Sequence, residues 1–187
     1  MKTTATILLL IISKIVLGTN PYLRIITSNE DISYPPNTKF ELYDSSNTII
    51  ASDKTLKGKF EITGNCKLVI YPYWKDSQDI YYLNSGTIRM ETSDQYMQAF
   101  NKPTYSNPVY FTKTIRKSAK SNAYNLTLKG SNGLEFKYVD GIGIATYREK
   151  ELKISGKYVI DCQEGTLKVS FNPQTKETWW VFQNTEK

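Results

Sequence analysis

The stretch Gly58-Lys-Phe-Glu-Ile-Thr-Gly-Asn-Cys-Lys-Leu-Val-Ile-Tyr71 holds two short runs separated by Gly64-Asn65. In the first, Phe60 and Ile62 alternate with Lys59, Glu61 and Thr63, the period of a strand with one buried face. The second, 67–71, is a compact apolar run of β-branched and aromatic character. The pair therefore reads as two successive strands joined through a turn. Outward from it the same grammar continues at 23–27, 39–43, 87–91, 109–112, 126–128, 134–138, 152–154, 158–160, 167–171 and 179–182. Pro35-Pro36-Asn37, Asp44-Ser-Ser-Asn47, Asn84-Ser-Gly86, Gly130-Ser-Asn-Gly133 and Asn172-Pro173 supply the turn chemistry between them. Strand and turn signals at intervals of about 8–12 residues predict an all-β chain of antiparallel sandwiches. One short helix is expected near 94–100.

Two segments match in order. Phe40-Glu-Leu-Tyr-Asp44, Ile50-Ala51, Leu56-Lys57, Gly58-Lys-Phe60, Ile62, Val69 and Tyr71 parallel Phe136-Lys-Tyr-Val-Asp140, Ile144-Ala145, Leu152-Lys153, Gly156-Lys-Tyr158, Ile160, Val169 and Phe171. This predicts an internal duplication: two small antiparallel sandwiches of immunoglobulin or prealbumin type, at 19–100 and 121–187, with 101–120 as a basic linker or edge segment. Shared β propensity is the competing explanation.

Residues 1–18 read as a signal peptide, with Lys2, the apolar run 5–12 and a cleavage site at Val16-Leu-Gly18. The run is shorter than the ~20 residues of a membrane-spanning helix, so a secreted, extracellular mature chain without a transmembrane segment is expected. The chain carries 24 basic and 18 acidic residues, and losing Lys2 and Lys14 leaves 22 − 18 = +4. That modest surplus argues against nucleic acid as partner. All of it sits at 101–120, with five basic residues and no acidic one. There Lys113, Arg116, Lys117 and Lys120 form a candidate site for an acidic polysaccharide or lipid surface, or else a solvated strand and loop.

The chain contains no histidine. Ser-His-Asp and Cys-His nucleophile pairs and His-ligated zinc are excluded; no metal and no cofactor is expected. Asp140-Gly-Ile-Gly143 lacks the Lys and the helix of a phosphate loop, and Asp140 reads as a turn residue. Only a carboxylate pair is left for catalysis, and none stands in a recognisable motif. Cys66 and Cys162 occupy equivalent places in the two matching segments, so a disulfide is expected, with two unbonded thiols as the alternative. Asn125-Leu-Thr127 is a glycosylation acceptor.

Fourteen tyrosines and three tryptophans suggest recognition. Tyr73, Trp74, Tyr81, Tyr82, Trp179 and Trp180 stand as adjacent pairs, and in a strand one member of each pair is buried and the other exposed. The exposed rings are candidate ligand contacts.

At Phe40-Glu-Leu-Tyr-Asp44, Gly58-Lys-Phe-Glu-Ile-Thr-Gly64, Lys67-Leu-Val-Ile-Tyr71 and Ile88-Arg-Met-Glu91 the chain resembles transthyretin-like secreted domains over residues 38–96. The resemblance implies a secreted all-β binding protein, and it carries over no functional residue. Together these readings point to a secreted, non-enzymatic protein that binds an extracellular protein or glycan. A glycan-cleaving enzyme with two carboxylates and a membrane-acting, toxin-like β protein are the alternatives.

Overall fold

A computed structural model describes residues 21–91, 109–155 and 157–185. The signal region at 1–18 and the helix expected near 94–100 lie outside the described residues. Every regular element within them is a strand: β1 (Tyr22–Ile26), β2 (Glu30–Tyr34), β3 (Lys39–Tyr43), β4 (Ile49–Ser52), β5 (Lys59–Ile62), β6 (Cys66–Tyr71), β7 (Asp79–Leu83), β8 (Gly86–Glu91), β9 (Phe111–Lys117), β10 (Tyr124–Gly130), β11 (Leu134–Val139), β12 (Ile142–Tyr147), β13 (Lys150–Leu152), β14 (Ile154–Ser155), β15 (Val159–Cys162), β16 (Gly165–Phe171) and β17 (Thr178–Asn184).

They form one long sheet, β13-β12-β11-β10-β9-β2-β1-β8-β5, and two short cover sheets, β4-β3-β6-β7 and β14-β15-β16-β17. The first cover sheet closes a sandwich over β2-β1-β8-β5. Its core joins Leu23, Ile25, Ile32, Tyr34 and Ile88 of the long sheet to Phe40, Leu42, Leu68 and Ile70 of the cover. The second closes over β9–β13, joining Phe111, Leu126, Leu128 and Phe136 to Leu167, Val169, Phe171 and Trp180.

Where β2 meets β9 the register decides the architecture. Paired residues of antiparallel strands share a face. Ile32 of the first core lies opposite Thr114, whereas Asp31 and Ser33 lie opposite Ile115 and Lys113, and Ile115 belongs to the second core. The two cores therefore occupy opposite faces of one continuous sheet, and Tyr22, facing away from the first core, is buried in the second. Residues 111–117 are thus neither linker nor edge, because β9 is paired on both sides.

The two sandwiches expected from sequence are present, but the topology does not show a duplication. β3 pairs with β6, while the matching segments of the second half, β11 and β16, sit in different sheets. β15 pairs with β16, while the corresponding β5 and β6 lie in different sheets.

The expected disulfide is likewise corrected. Cys66 and Cys162 are both free thiols. Cys66 packs against the first core and Cys162 against the second, and those cores lie on opposite faces of the long sheet. Burial pushes both thiols above their ordinary pKa.

Turn chemistry holds the hairpins. Asp140 and Gly141 both have positive φ, 48° and 95°, as a two-residue hairpin loop between β11 and β12 requires. At Gly165, opposite Asn184, an added Cβ would lie 2.1 Å from the Gln183 carbonyl oxygen. The backbones of β16 and β17 approach too closely for any side chain there.

Two outcomes are expected. Thiol titration of the unreduced, denatured protein should find two reactive groups per chain; none would restore the bridge. Gly165→Ala should lower unfolding free energy by about 3 kcal/mol in urea titrations, through overpacking against backbone that cannot shift cheaply.

Candidate binding surface

Alternation in the first cover sheet sends Phe40, Leu42, Leu68 and Ile70 inward and turns the intervening residues outward, where Val69 alone of them is buried beneath its neighbours. There Glu41 lies opposite Val69, Tyr43 opposite Lys67 and Lys39 opposite Tyr71; Val69 then neighbours Ile80, and Lys67 neighbours Tyr82. Tyr82 is 80% exposed and Ile80 48%. The Tyr43 and Tyr71 hydroxyls donate to Glu41 Oε2 at 2.7 and 2.6 Å. These bonds hold the Glu41 carboxyl below its ordinary pKa and push the Tyr71 hydroxyl up. Both rings are therefore fixed in orientation, and Lys67 Nζ stands 5.6 Å from the Tyr43 ring centroid. Beside Tyr82 an open groove of about 530 Å³ is lined by Asp44, Asn47, Asn65, Lys67 and Asn84.

Each aromatic pair divides into an exposed and a packed member, by strand alternation at Tyr81–Tyr82 and Trp179–Trp180 and within a turn at Tyr73–Trp74. Tyr82 is exposed, whereas Tyr81 packs against the first core. Tyr34 gives its one hydroxyl proton to Asp79 Oδ2 at 2.8 Å, so the Tyr81 hydroxyl, 2.7 Å away, donates to Tyr34. Tyr73 is exposed and Trp74 packs inward. Tyr73 stands edge-on to Trp74 and to Tyr110, with centroids 5.0 and 4.9 Å apart. Trp179 is exposed and Trp180 is core. Trp179 borders a separate open groove of about 530 Å³ with Lys157, Ser170, Asn172 and Glu177. The six aromatics thus do not form one site: three are packing residues, and Trp179 belongs to the other sandwich.

The basic residues are not gathered either. Lys113, between Phe111 and Ile115, faces the second core's side, and burial lowers its pKa. Arg116 points to the other face and pairs with Glu30. Lys117 alternates back to the Lys113 side. Lys120 stands in a turn, 3.7 Å from Asp140 Oδ2.

Among the described carboxylates, the most enclosed group is Asp31 and Glu91 around Arg24. Arg24 Nε donates to Asp31 Oδ1 at 2.8 Å and Nη2 to Oδ2 at 2.5 Å, while Nη1 reaches Glu91 Oε2 at 2.9 Å. The Tyr22 hydroxyl also donates to Glu91, at 2.8 Å. Burial would raise the Glu91 carboxyl, but the bonds from Arg24 and Tyr22 prevail and hold it below its ordinary pKa. A carboxylate pinned in this way is no proton donor. Glu164 is similarly committed to Tyr147 and Arg148, at 2.6 and 3.0 Å. No group of three or more metal-ligating side chains occurs among the described residues, and no described helix is long and apolar enough to cross a membrane.

Asp44 is a turn residue that binds its own backbone, accepting from the Ser46 and Thr48 amides at 2.9 Å each. Asp140 also sits in a turn, but its carboxylate instead accepts from the Ser118 hydroxyl at 2.7 Å. Asn125 shares the Arg116 face of the long sheet, and its Oδ1 accepts the Asp140 amide. Sequence reasoning missed Glu41, Tyr43, Tyr71 and Ile80. The alternation that identified Phe40 and Leu42 as core also places Glu41 and Tyr43 outside, but only the β3–β6 register brings Tyr71 to Glu41. No protein family, curated protein or solved structure matches the chain.

At neutral pH, Arg24→Met should cost about 3 kcal/mol, because it strips buried Asp31 of its guanidinium partner and leaves Glu91 with only Arg89 and the Tyr22 hydroxyl. Glu91 ionises more easily folded than unfolded, so its contribution is complete above its ordinary value of 4.5 and is lost as pH falls through the lower folded value. The part of the gap between parent and variant that Glu91 supplies should therefore narrow as pH falls below 4.5, as measured by chemical denaturation at each pH.

Proposed function

We propose that the chain is a secreted, non-catalytic binding protein whose outer β4-β3-β6-β7 face recognises an extracellular protein. The carrying observation is the exposed pair Tyr82 and Ile80 beside Tyr43 and Tyr71, whose hydroxyls are tied to Glu41. Rings already held in place lose little entropy on binding, the property that makes Tyr effective at interfaces. Aliphatic Ile80, and Ile49 at 50% exposure, favour a protein over a glycan, because sugars stack on aromatic faces and gain little from branched aliphatics. The glycan-cleaving reading is weakened by the pinning of Asp31 and Glu91 through Arg24. Secretion through residues 1–18 belongs to the same reading.

Against an array of extracellular proteins and glycans, the parent should bind a protein. Tyr43→Ser combined with Tyr82→Ser should weaken that binding at least about tenfold, the effect of losing central aromatic anchors, with thermal stability nearly unchanged. Binding confined to glycans, or binding lost on Trp179→Ser but not on the double change, would count against this face.

A further inference from the structure

The long sheet continues past the edge of the first cover sheet, and this creates a step. β7 lies over β2, as the Tyr34 bonds to Tyr81 and Asp79 show. Beyond β2 the long sheet runs on into β9 and β10, and the Tyr73 and Trp74 rings reach Tyr110 at the start of β9. On that side β9 presents Thr112, Thr114 and Arg116, with Lys129, Thr127 and Asn125 of β10 opposite them. No described strand pairs with β7 on the side away from β6. The step thus has the β7 edge as its wall and the β9–β10 face as its floor.

We propose that this step binds an extended acidic peptide segment of a partner protein, added as a strand to β7. A strand edge is complementary to another extended backbone. A strand placed about 4.8 Å from β7 lies roughly 10 Å above β9, the normal spacing between packed sheets. Its alternate side chains then point down at Thr112, Thr114 and Arg116. A second copy of this sandwich does not fit, because its own long sheet would need the layer that β9 and β10 already fill. The more exposed charges on the floor are cationic: Arg116 is 64% and Lys129 67% exposed. Their carboxylate partners Glu30 and Glu135 are 24% and 23% exposed. Downward residues should therefore be acidic or small. Upward residues would stand beside Ile80 and Tyr82 and should be β-branched or aromatic. The proposal shares those two residues with the binding face above but not its Tyr43–Glu41–Tyr71 centre.

A nine-residue capped peptide alternating Val and Glu serves as probe, with a same-composition peptide in blocked order as control. Titration into isotope-labelled protein should shift and protect the amides of 79–83 and shift those of 112–116. Thr114→Trp, which fills the floor, should weaken binding by at least about tenfold, as should raising salt from 50 to 500 mM. Tyr43→Ser with Tyr71→Ser should leave it intact, so that failure of the outer-face reading alone is recognised. Equal binding of the blocked peptide, unchanged amides at 79–83, binding untouched by Thr114→Trp, or concentration-dependent dimerisation through β7 would each overturn the proposal.

Discussion

The pairing of β2 with β9 is the constraint on which the rest of the molecule depends. It joins eight strands of the first sandwich to nine of the second, and its register places their cores on opposite faces of one sheet. A slip of one residue would put Ile32 and Ile115 on the same face and so turn one of them out of its core, so both cores enforce the same pairing. Each core in turn needs the seam, because a sandwich of this size alone buries little apolar surface relative to the chain it must order. Tyr22 shows the sharing directly, since it stands on a strand of the first sandwich and completes the core of the second.

The seam also explains the charges that look misplaced in a sheet interior. Asp31 and Ser33 lie on the side occupied by the second core, beside Lys113. Charge there is tolerated because Arg24, two strands from β9, reaches across to Asp31 and Glu91 and hydrogen-bonds both. A buried or half-buried charge without such partners would be costly. The polar group is therefore structural cement at the junction of two cores, while the proposed binding rests on the outer cover face and the step beside it.

Both surfaces follow from that arrangement. The first cover sheet is four strands wide and stops above β2, so among the described residues no strand covers its outer face, and its β7 edge opens onto the continuing long sheet. The face carries fixed tyrosines and exposed isoleucine, and the edge carries backbone. The proposed recognition by side-chain packing and the proposed strand addition meet at Ile80 and Tyr82.

The sequence by itself determined the all-β class, the two sandwiches and the inside-outside sorting of Tyr81–Tyr82 and Trp179–Trp180. These rest on period-2 alternation and turn residues, which are local. It did not disclose β2, because Glu30-Asp-Ile-Ser-Tyr34 has polar residues at three of its five positions, nor that β9 runs on through Lys113 and Arg116 as an interior strand. Both look solvated until their partners Arg24, Glu30 and Glu91 are known, and those partners are set by pairings between distant segments. The same holds for Cys66 and Cys162, matched along the chain yet divided between two cores, and for Tyr71, brought to Glu41 only by the β3–β6 register. Tertiary structure decided these points because strand pairing and face assignment are long-range, while alternation carries only which residues share a side.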